Sequence, residues 1–259
     1  MAQALIPNFI KESTESKGSE FYIFTPSGSK AKKFANDFGI NFVADLEELR
    51  NTHIDFLWCA FKPQQLEQVS REVAFLTHPY LTIVSLLAGS DCSSIQQQLG
   101  SDQIIRIMPN TPAQVGLGVN ALFKSKSVHK DKWDSFWSSF NTQGVNHVFD
   151  TEEDIDTITP YSGSGPAYFF EIARILIEDL SRRGINEALA HKMIGATIEG
   201  AGRMLSSHSS ARQLRDNVTS KNGVTFEVLE SLKNSGLENS FNKALECGVK
   251  RTLELKDSK

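Results

Sequence analysis

The feature that most constrains the fold is a regular alternation of short apolar runs and amphipathic stretches over the first half of the chain. The apolar runs are nearly continuous, which is typical of strands that are buried on both faces of a sheet. Strand followed by helix, repeated, predicts parallel strands joined by right-handed crossovers and therefore a doubly wound α/β architecture. The predicted strands are residues 21–25, 54–60, 81–87 and 104–108, and the predicted helices are residues 30–38, 64–76 and 93–99.

The pattern changes near Asp150, beyond which the apolar spacing is helical. We therefore expect two domains, an α/β domain over residues 1–151 and an all-helical domain over residues 152–259. The predicted helix over residues 167–180 is apolar on almost every face, so it must be buried all round. The remaining helices offer limited cover for it, and a partner subunit is the natural source of the missing surface. The alternative is a core helix within a single chain.

Composition excludes several classes of protein. The formal net charge of −4 and the absence of a basic run argue against a general nucleic-acid binder, which needs a concentrated basic surface. Cys59, Cys92 and Cys247 are widely separated and lie in apolar surroundings, which predicts buried, reduced thiols in a cytoplasmic protein rather than a disulfide framework or a metal cluster. No run reaches the roughly 18 apolar residues of a membrane span, and no spacing of His, Cys or acidic residues indicates a metal site.

The segments that follow the predicted strands are candidate binding loops. In a doubly wound sheet, ligands bind outside the carboxyl ends of the strands. Each of these segments, taken singly, is also compatible with an ordinary strand-to-helix turn. The candidate cofactor-binding residues in them are Ala60, Lys62, Pro63, Ala88, Gly89, Pro109 and Asn110.

Three motifs in register resemble those of one known family. Met108-Pro-Asn-Thr-Pro112 is followed by Gly163-Ser-Gly-Pro-Ala-Tyr168, with Phe61-Lys-Pro-Gln64 upstream of both. Together they resemble the pyrroline-5-carboxylate reductase family. A further match lies downstream, over residues 214–225. The resemblance extends over essentially the whole chain.

The resemblance implies NAD(P)H-dependent reduction of 1-pyrroline-5-carboxylate to L-proline, the final step of proline biosynthesis. Such a substrate needs an anion cradle and a polar group facing its ring nitrogen, while the hydride chemistry belongs to the cofactor. Ser220, Asn222, Gly223 and Val224 lead into a predicted helix whose first free amides can hold the carboxylate. Thr225 can offer its hydroxyl to the ring nitrogen or the carboxylate, matching the family's threonine, or it can cap the helix.

The sequence departs from the family at its beginning. A Rossmann-like domain normally opens with a strand and a Gly-x-Gly-x-x-Gly loop, and residues 1–6 are similar to the helix that follows that loop. We therefore expect the first strand and the glycine loop to be missing. Two explanations stay open: the true start lies upstream, or the chain is a paralogue that has lost tight cofactor binding. The recognisable substrate motifs favour the first.

The segment after the first predicted strand bears on cofactor choice. Thr25, Ser27 and Lys30 place hydroxyls and a cation where NAD-specific domains carry a carboxylate. This favours NADPH, with NADH as the alternative, although a polar turn would look the same.

The sequence is therefore compatible with two functions. The first is the reductase, assembled through the helical domain into a homodimer or a ring of dimers. The second is a catalytically impaired paralogue that acts as a dimeric binding protein for a proline-like ligand or a partner.

Overall fold

The computed structural model describes residues 2–26, 28–140, 144–207 and 210–257. They divide into two compact units. The first comprises Met1–Gly163 together with Val249–Lys259, and the second comprises Ser164–Gly248.

The first unit alternates helices and strands. Its helices are α1 (Ala2–Lys17), α2 (Ser29–Phe38), α3 (Leu66–Val73), α4 (Cys92–Leu99), α5 (Lys130–Phe140) and α6 (Glu153–Ile158). Its strands are β1 (Tyr22–Ile23), β2 (Asn41–Phe42), β3 (Phe56–Cys59), β4 (Thr82–Ser85), β5 (Ile104–Pro109), β6 (Val119–Lys124) and β7 (Val145–Val148). The connecting loops contain short 3-10 helices at Pro63–Gln65 and Thr111–Val115 and a π-helical turn at Thr159–Gly163.

The strands form a five-stranded sheet in the order β3-β4-β5-β6-β7 and a separate two-stranded sheet, β1-β2. Every pair is parallel except β5 and β6. The predicted α/β fold with a mainly parallel sheet is confirmed. The sequence pattern does not predict β2, β6 or β7. β6 runs antiparallel to β5 because a short loop, with no crossover helix, joins the two strands.

Both faces of the five-stranded sheet are covered by helices. Neighbouring residues of β4 point in opposite directions, so Ile83 packs against α3 and α4 whereas Val84 packs against α1 and α5. Ile104 and Ile105 of β5 divide between the two faces in the same way. These four side chains are essentially inaccessible to solvent. The near-continuous apolar runs of the sequence therefore correspond to strands buried on both sides.

Helix α1 is the first described element and packs on the sheet through Phe9. The Phe9 ring lies 4.9 Å from Trp58 of β3 and 5.6 Å from Phe136 of α5, centroid to centroid. It also meets the edge of Phe21, just before β1, at 6.1 Å. Among the described residues, no strand joins the edge of β1 to the edge of β3. The sheet is discontinuous there, and a helix side chain bridges the two parts.

The second unit is helical. It contains α7 (Gly165–Arg182), α8 (Glu187–Ser206), α9 (Ala211–Asn217), α10 (Val224–Asn234) and most of α11 (Leu237–Asp257). The predicted helix over residues 167–180 and the helix predicted to begin near Val224 are confirmed. Within one chain, however, α7 is not buried all round, because Phe169 and Phe170 are 59% and 66% exposed. None of the described helices is long and apolar enough to cross a membrane.

Candidate functional site

The carboxyl ends of three parallel strands bring the predicted binding loops to one edge of the sheet. Cys59 of β3 is paired with Ser85 of β4, and Ser85 is paired with Arg106 of β5. The residues that follow each strand therefore emerge side by side. The structure brings together Ala60, Lys62, Pro63, Ala88, Gly89, Pro109 and Asn110 in this way.

The loop after β3 is a tight 3-10 turn that begins at Pro63. Proline suits the first position of such a turn because that position needs no amide hydrogen. The Lys62 backbone N–H donates to the Gln65 side-chain oxygen at 3.2 Å, which holds the turn closed.

The loop after β4 contains Gly89, whose φ of +68° lies in the left-handed region that favours glycine. Asp91 then caps α4, because its carboxylate accepts the Ser94 backbone N–H at 2.8 Å. The turn is thus set by one glycine and one capping carboxylate.

The loop after β5 is organised by the Asn110 side chain, which is only 5% exposed. Its oxygen accepts the Val119 backbone N–H at 2.9 Å, and its Nδ2 donates to the Ser162 carbonyl at 3.2 Å. Asn110 therefore joins the end of β5 to the start of β6 and to the π-helical turn. Both polar atoms have partners within the first unit, so contact of this side chain with a cofactor stays a prediction.

The turn between β1 and α2 has the properties of an anion site. The Thr25 hydroxyl is buried and has no hydrogen-bond partner. Gly28, at φ +63°, precedes α2, whose N-terminus has no side-chain cap. Lys30 is exposed in the first turn of the same helix. An orphan hydroxyl, free helix amides and a cation fit a phosphate group. Ser27 lies outside the described residues.

The residues of these loops and of the turn before α2 stay predicted contacts of a nicotinamide cofactor.

The candidate substrate turn lies in the second unit, before α10. Asn222 has a φ of +58°, a conformation that asparagine tolerates better than most residues. Gly223 precedes α10 without a side-chain cap, and its own N–H donates to the Ser220 carbonyl at 3.0 Å. Val224, the first helical residue, is 83% exposed. The turn therefore presents free, solvent-facing amides at the positive end of a helix, with Thr225 in its first turn.

A buried ion-pair network that the sequence analysis missed lies beside the sheet edge. Arg106 is 2% exposed and donates to Glu152 at 2.6 Å and to Asp156 at 3.2 Å. The Glu152 carboxylate also accepts the Cys92 backbone N–H at 2.6 Å. Burial alone would lower the pKa of Arg106, but Glu152 and Asp156 outweigh it and raise that pKa. The signal was an arginine within the apolar run of β5, because a buried charge needs a partner.

Cys59 and Cys92 do not supply a nucleophile at neutral pH, whereas the predicted burial of Cys247 is wrong because its side chain is exposed. Burial raises the pKa of Cys59 to about 12. Burial, followed by the nearby Glu152 carboxylate, also raises the pKa of Cys92. Both side chains are therefore thiols. The described residues hold no group of three or more His, Cys, Asp or Glu side chains that could bind a metal ion.

A mainly parallel sheet with its binding loops at the carboxyl ends, followed by helices, defines the class of two-domain dinucleotide-binding oxidoreductases. Residues 152–255 match the family model described as pyrroline-5-carboxylate reductase dimerisation. The pyrroline-5-carboxylate reductase of Pseudomonas aeruginosa is 32% identical over 89% of this chain and 85% of that protein. The one from Synechocystis is 30% identical over 98% of this chain and 94% of that protein. The chain belongs to the pyrroline-5-carboxylate reductase family.

Solved structures agree with this assignment. A pyrroline-5-carboxylate reductase from Coxiella burnetii matches with a TM-score of 0.82 and 30% identity, over 97% of this chain and 95% of that one. The enzyme from Plasmodium falciparum, solved with NADP bound, matches with a TM-score of 0.81 and 25% identity over 98% of this chain and 94% of that one.

Proposed function

We propose that this protein reduces 1-pyrroline-5-carboxylate to L-proline with a nicotinamide cofactor. The observation that carries the proposal is the turn before α10, where Asn222 and Gly223 leave the helix amides uncapped and exposed. Family membership supplies the chemistry that such an anion site would serve.

The residues of the α10 turn have distinct tasks in this proposal. The amides that follow Gly223 bind the substrate carboxylate, because the helix N-terminus carries partial positive charge. Thr225 directs its hydroxyl to the ring nitrogen or to the carboxylate. Residues 220–225 include no His or acidic side chain, so the imine enters protonated or takes its proton from water. The nicotinamide, when bound, supplies the hydride.

We further propose NADPH as the preferred cofactor, with NADH as the alternative. The orphan Thr25 hydroxyl, the uncapped start of α2 and Lys30 support binding of a 2′-phosphate, and Ser27 belongs to the same predicted set. The loops after β3, β4 and β5 are proposed to hold the nicotinamide side. Of the relatives, the P. falciparum enzyme was solved with NADP.

We propose that the chain consists of an α/β domain of residues 1–151 and a helical domain of residues 152–259. The helical domain is expected to form a homodimer or a ring of dimers. The match of residues 152–255 to a dimerisation model supports this, as do the exposed aromatic side chains of α7. We propose that the protein acts in the cytoplasm, since Cys59, Cys92 and Cys247 are all free thiols.

A second candidate is a catalytically impaired binding protein for a proline-like ligand or a partner. It is favoured by one observation, the discontinuity of the sheet between β1 and β3. The two candidates differ in turnover, whereas both predict that the α10 turn binds a carboxylate.

The deciding experiment measures imine-dependent oxidation of NADPH by the purified protein, together with Thr225→Val and the matched control Thr225→Ser. The reductase proposal expects turnover, a marked loss of it in Thr225→Val, and near-normal rates in Thr225→Ser, which keeps the hydroxyl. Proline binding without any turnover would establish the second candidate. Full turnover in Thr225→Val with unchanged imine affinity would remove Thr225 from the site.

A further inference from the structure

The last turns of α11 lie against the loop after β4 in the first unit. A Cβ atom added to Gly89 would meet Leu255 Cβ at 3.0 Å and the Leu255 carbonyl carbon at 3.3 Å. Thr252, one turn earlier, is 9% exposed and so faces the same packed surface. We call residues 252–256 the C-terminal latch. Its backbone approaches the loop so closely that a Cβ at Gly89 would force Leu255 to move by a few tenths of an ångström.

Lys256 of the C-terminal latch lies next to the buried ion-pair network of Arg106, Glu152 and Asp156. Its Nζ lies 3.8 Å from Asp91 and 3.6 Å from Asp156, which are ion-pair distances rather than hydrogen bonds. Asp91 is the residue that caps α4, immediately after the Gly89 loop. One lysine therefore faces both the cap of α4 and the carboxylate of α6 that pairs with Arg106.

Lys256 supplies one of the two cations that balance the carboxylates of this network. Asp91, Glu152 and Asp156 supply three carboxylates, and Arg106 and Lys256 supply the cations that face them. All five side chains are mostly buried, so the removal of one cation is not compensated by water as it would be on the surface. Without Lys256, the Glu152 and Asp156 carboxylates repel the Asp91 carboxylate. The hydrogen bond by which Asp91 caps α4 then weakens.

We propose that the C-terminal latch positions the loop after β4 for the cofactor, with Lys256 and Leu255 as positioning residues. This rests on the proposed function, in which Ala88 and Gly89 contact the nicotinamide cofactor. A loop that is packed against Leu255 and fixed at its end by Asp91 keeps its left-handed glycine in one conformation. Binding then requires less ordering of the loop, which favours affinity.

The test compares Lys256→Met with Lys256→Arg, which keeps the charge, and with Lys250→Met. Lys250→Met is a matched control because it removes the same charge from the same helix, where the 79% exposed Lys250 side chain lies 3.9 Å from Glu254. Two quantities are measured on the full chain: amide hydrogen exchange over residues 86–95 without cofactor, and the Kd for NADPH by direct titration. The KM for the imine serves as the reference.

Lys256→Met is expected to exchange those amides faster and to raise the NADPH Kd about three- to tenfold, with the imine KM unchanged. Lys256→Arg and Lys250→Met should stay near wild type. Equal behaviour of Lys256→Met and Lys250→Met would overturn the proposal, as would faster exchange with an unaltered Kd. If the wild type itself binds no NADPH, the proposed function fails, and the exchange comparison alone decides whether the latch holds the loop.

Discussion

The Arg106 guanidinium and the Glu152 carboxylate form an ion pair at 2.6 Å with the arginine almost wholly buried. Arg50 and Glu47 form a pair of the same length, but both of those side chains are more than half exposed. Geometry is nearly equal in the two cases, so the surrounding solvent determines their energetic difference. In water the pair is screened and contributes little, whereas a buried pair that loses one partner leaves an uncompensated charge.

Glu152→Ala is therefore expected to lower the free energy of unfolding by about 3 kcal/mol, because it leaves Arg106 with Asp156 alone. Glu47→Ala, the control, should cost less than about 1 kcal/mol. Urea denaturation of both variants measures the difference. Equal losses would mean that burial of Arg106 does not govern the energy of its pair.

The stability of the protein should depend on the charge of Asp91 in acid. Burial alone would raise the pKa of this carboxyl, but hydrogen bonds from Ser94 and the charges of Lys256 and Arg106 outweigh it, and the pKa lies below its ordinary value of 3.8. A lowered carboxyl pKa contributes stability that is present above the ordinary value and is lost as the pH falls through the folded-state pKa. Asp91→Asn can still cap α4 but cannot titrate. Thermal unfolding followed from pH 6 downwards should decline less steeply below about pH 4 for Asp91→Asn than for wild type. Parallel curves would contradict the assignment.

Gly223→Ala should damage the α10 turn selectively. The backbone angle at Gly223 is ordinary for any residue, but an added Cβ would overlap with the Ser220 Oγ and lie 3.1 Å from the Ser220 carbonyl oxygen. We expect the KM for the imine to rise about tenfold, since small displacements of binding groups are costly, while the NADPH Kd stays unchanged. The double variant Ser220→Ala/Gly223→Ala removes the overlapping oxygen and should recover part of the loss. A rise in the NADPH Kd instead would place this turn in the cofactor site.

The exposed aromatic residues of α7 should maintain the oligomer. Phe170→Glu places a charge on a surface proposed to be buried between subunits, where an unpaired charge is strongly unfavourable. Light scattering after size exclusion should show a dimer, or a multiple of it, for the wild type and a smaller species for Phe170→Glu. Glu178→Gln, an exposed neighbour on the same helix paired with Arg174, is the control and should keep the wild-type mass. A wild-type monomer would refute the interface.

Local patterns were sufficient to predict much of the architecture. The continuous apolar runs predicted β3, β4 and β5 because strands buried on both faces admit few polar residues. Asn222 before α10 indicated a turn, because asparagine tolerates a positive φ better than most residues other than glycine. β7 escaped notice because its residues alternate between exposed and partly buried, which leaves only a weak signal over four residues.

The sequence by itself therefore determined the four apolar strands, the change to helices near residue 152 and the family, since each depends on motifs whose residues are close together along the chain. Only the tertiary structure decided that Asn110 binds backbone groups, that Lys256 lies between Asp91 and Asp156, and that Leu255 covers Gly89. These contacts join residues up to about 165 positions apart, and no local pattern encodes which distant side chains the packing of a sheet and its helices brings together.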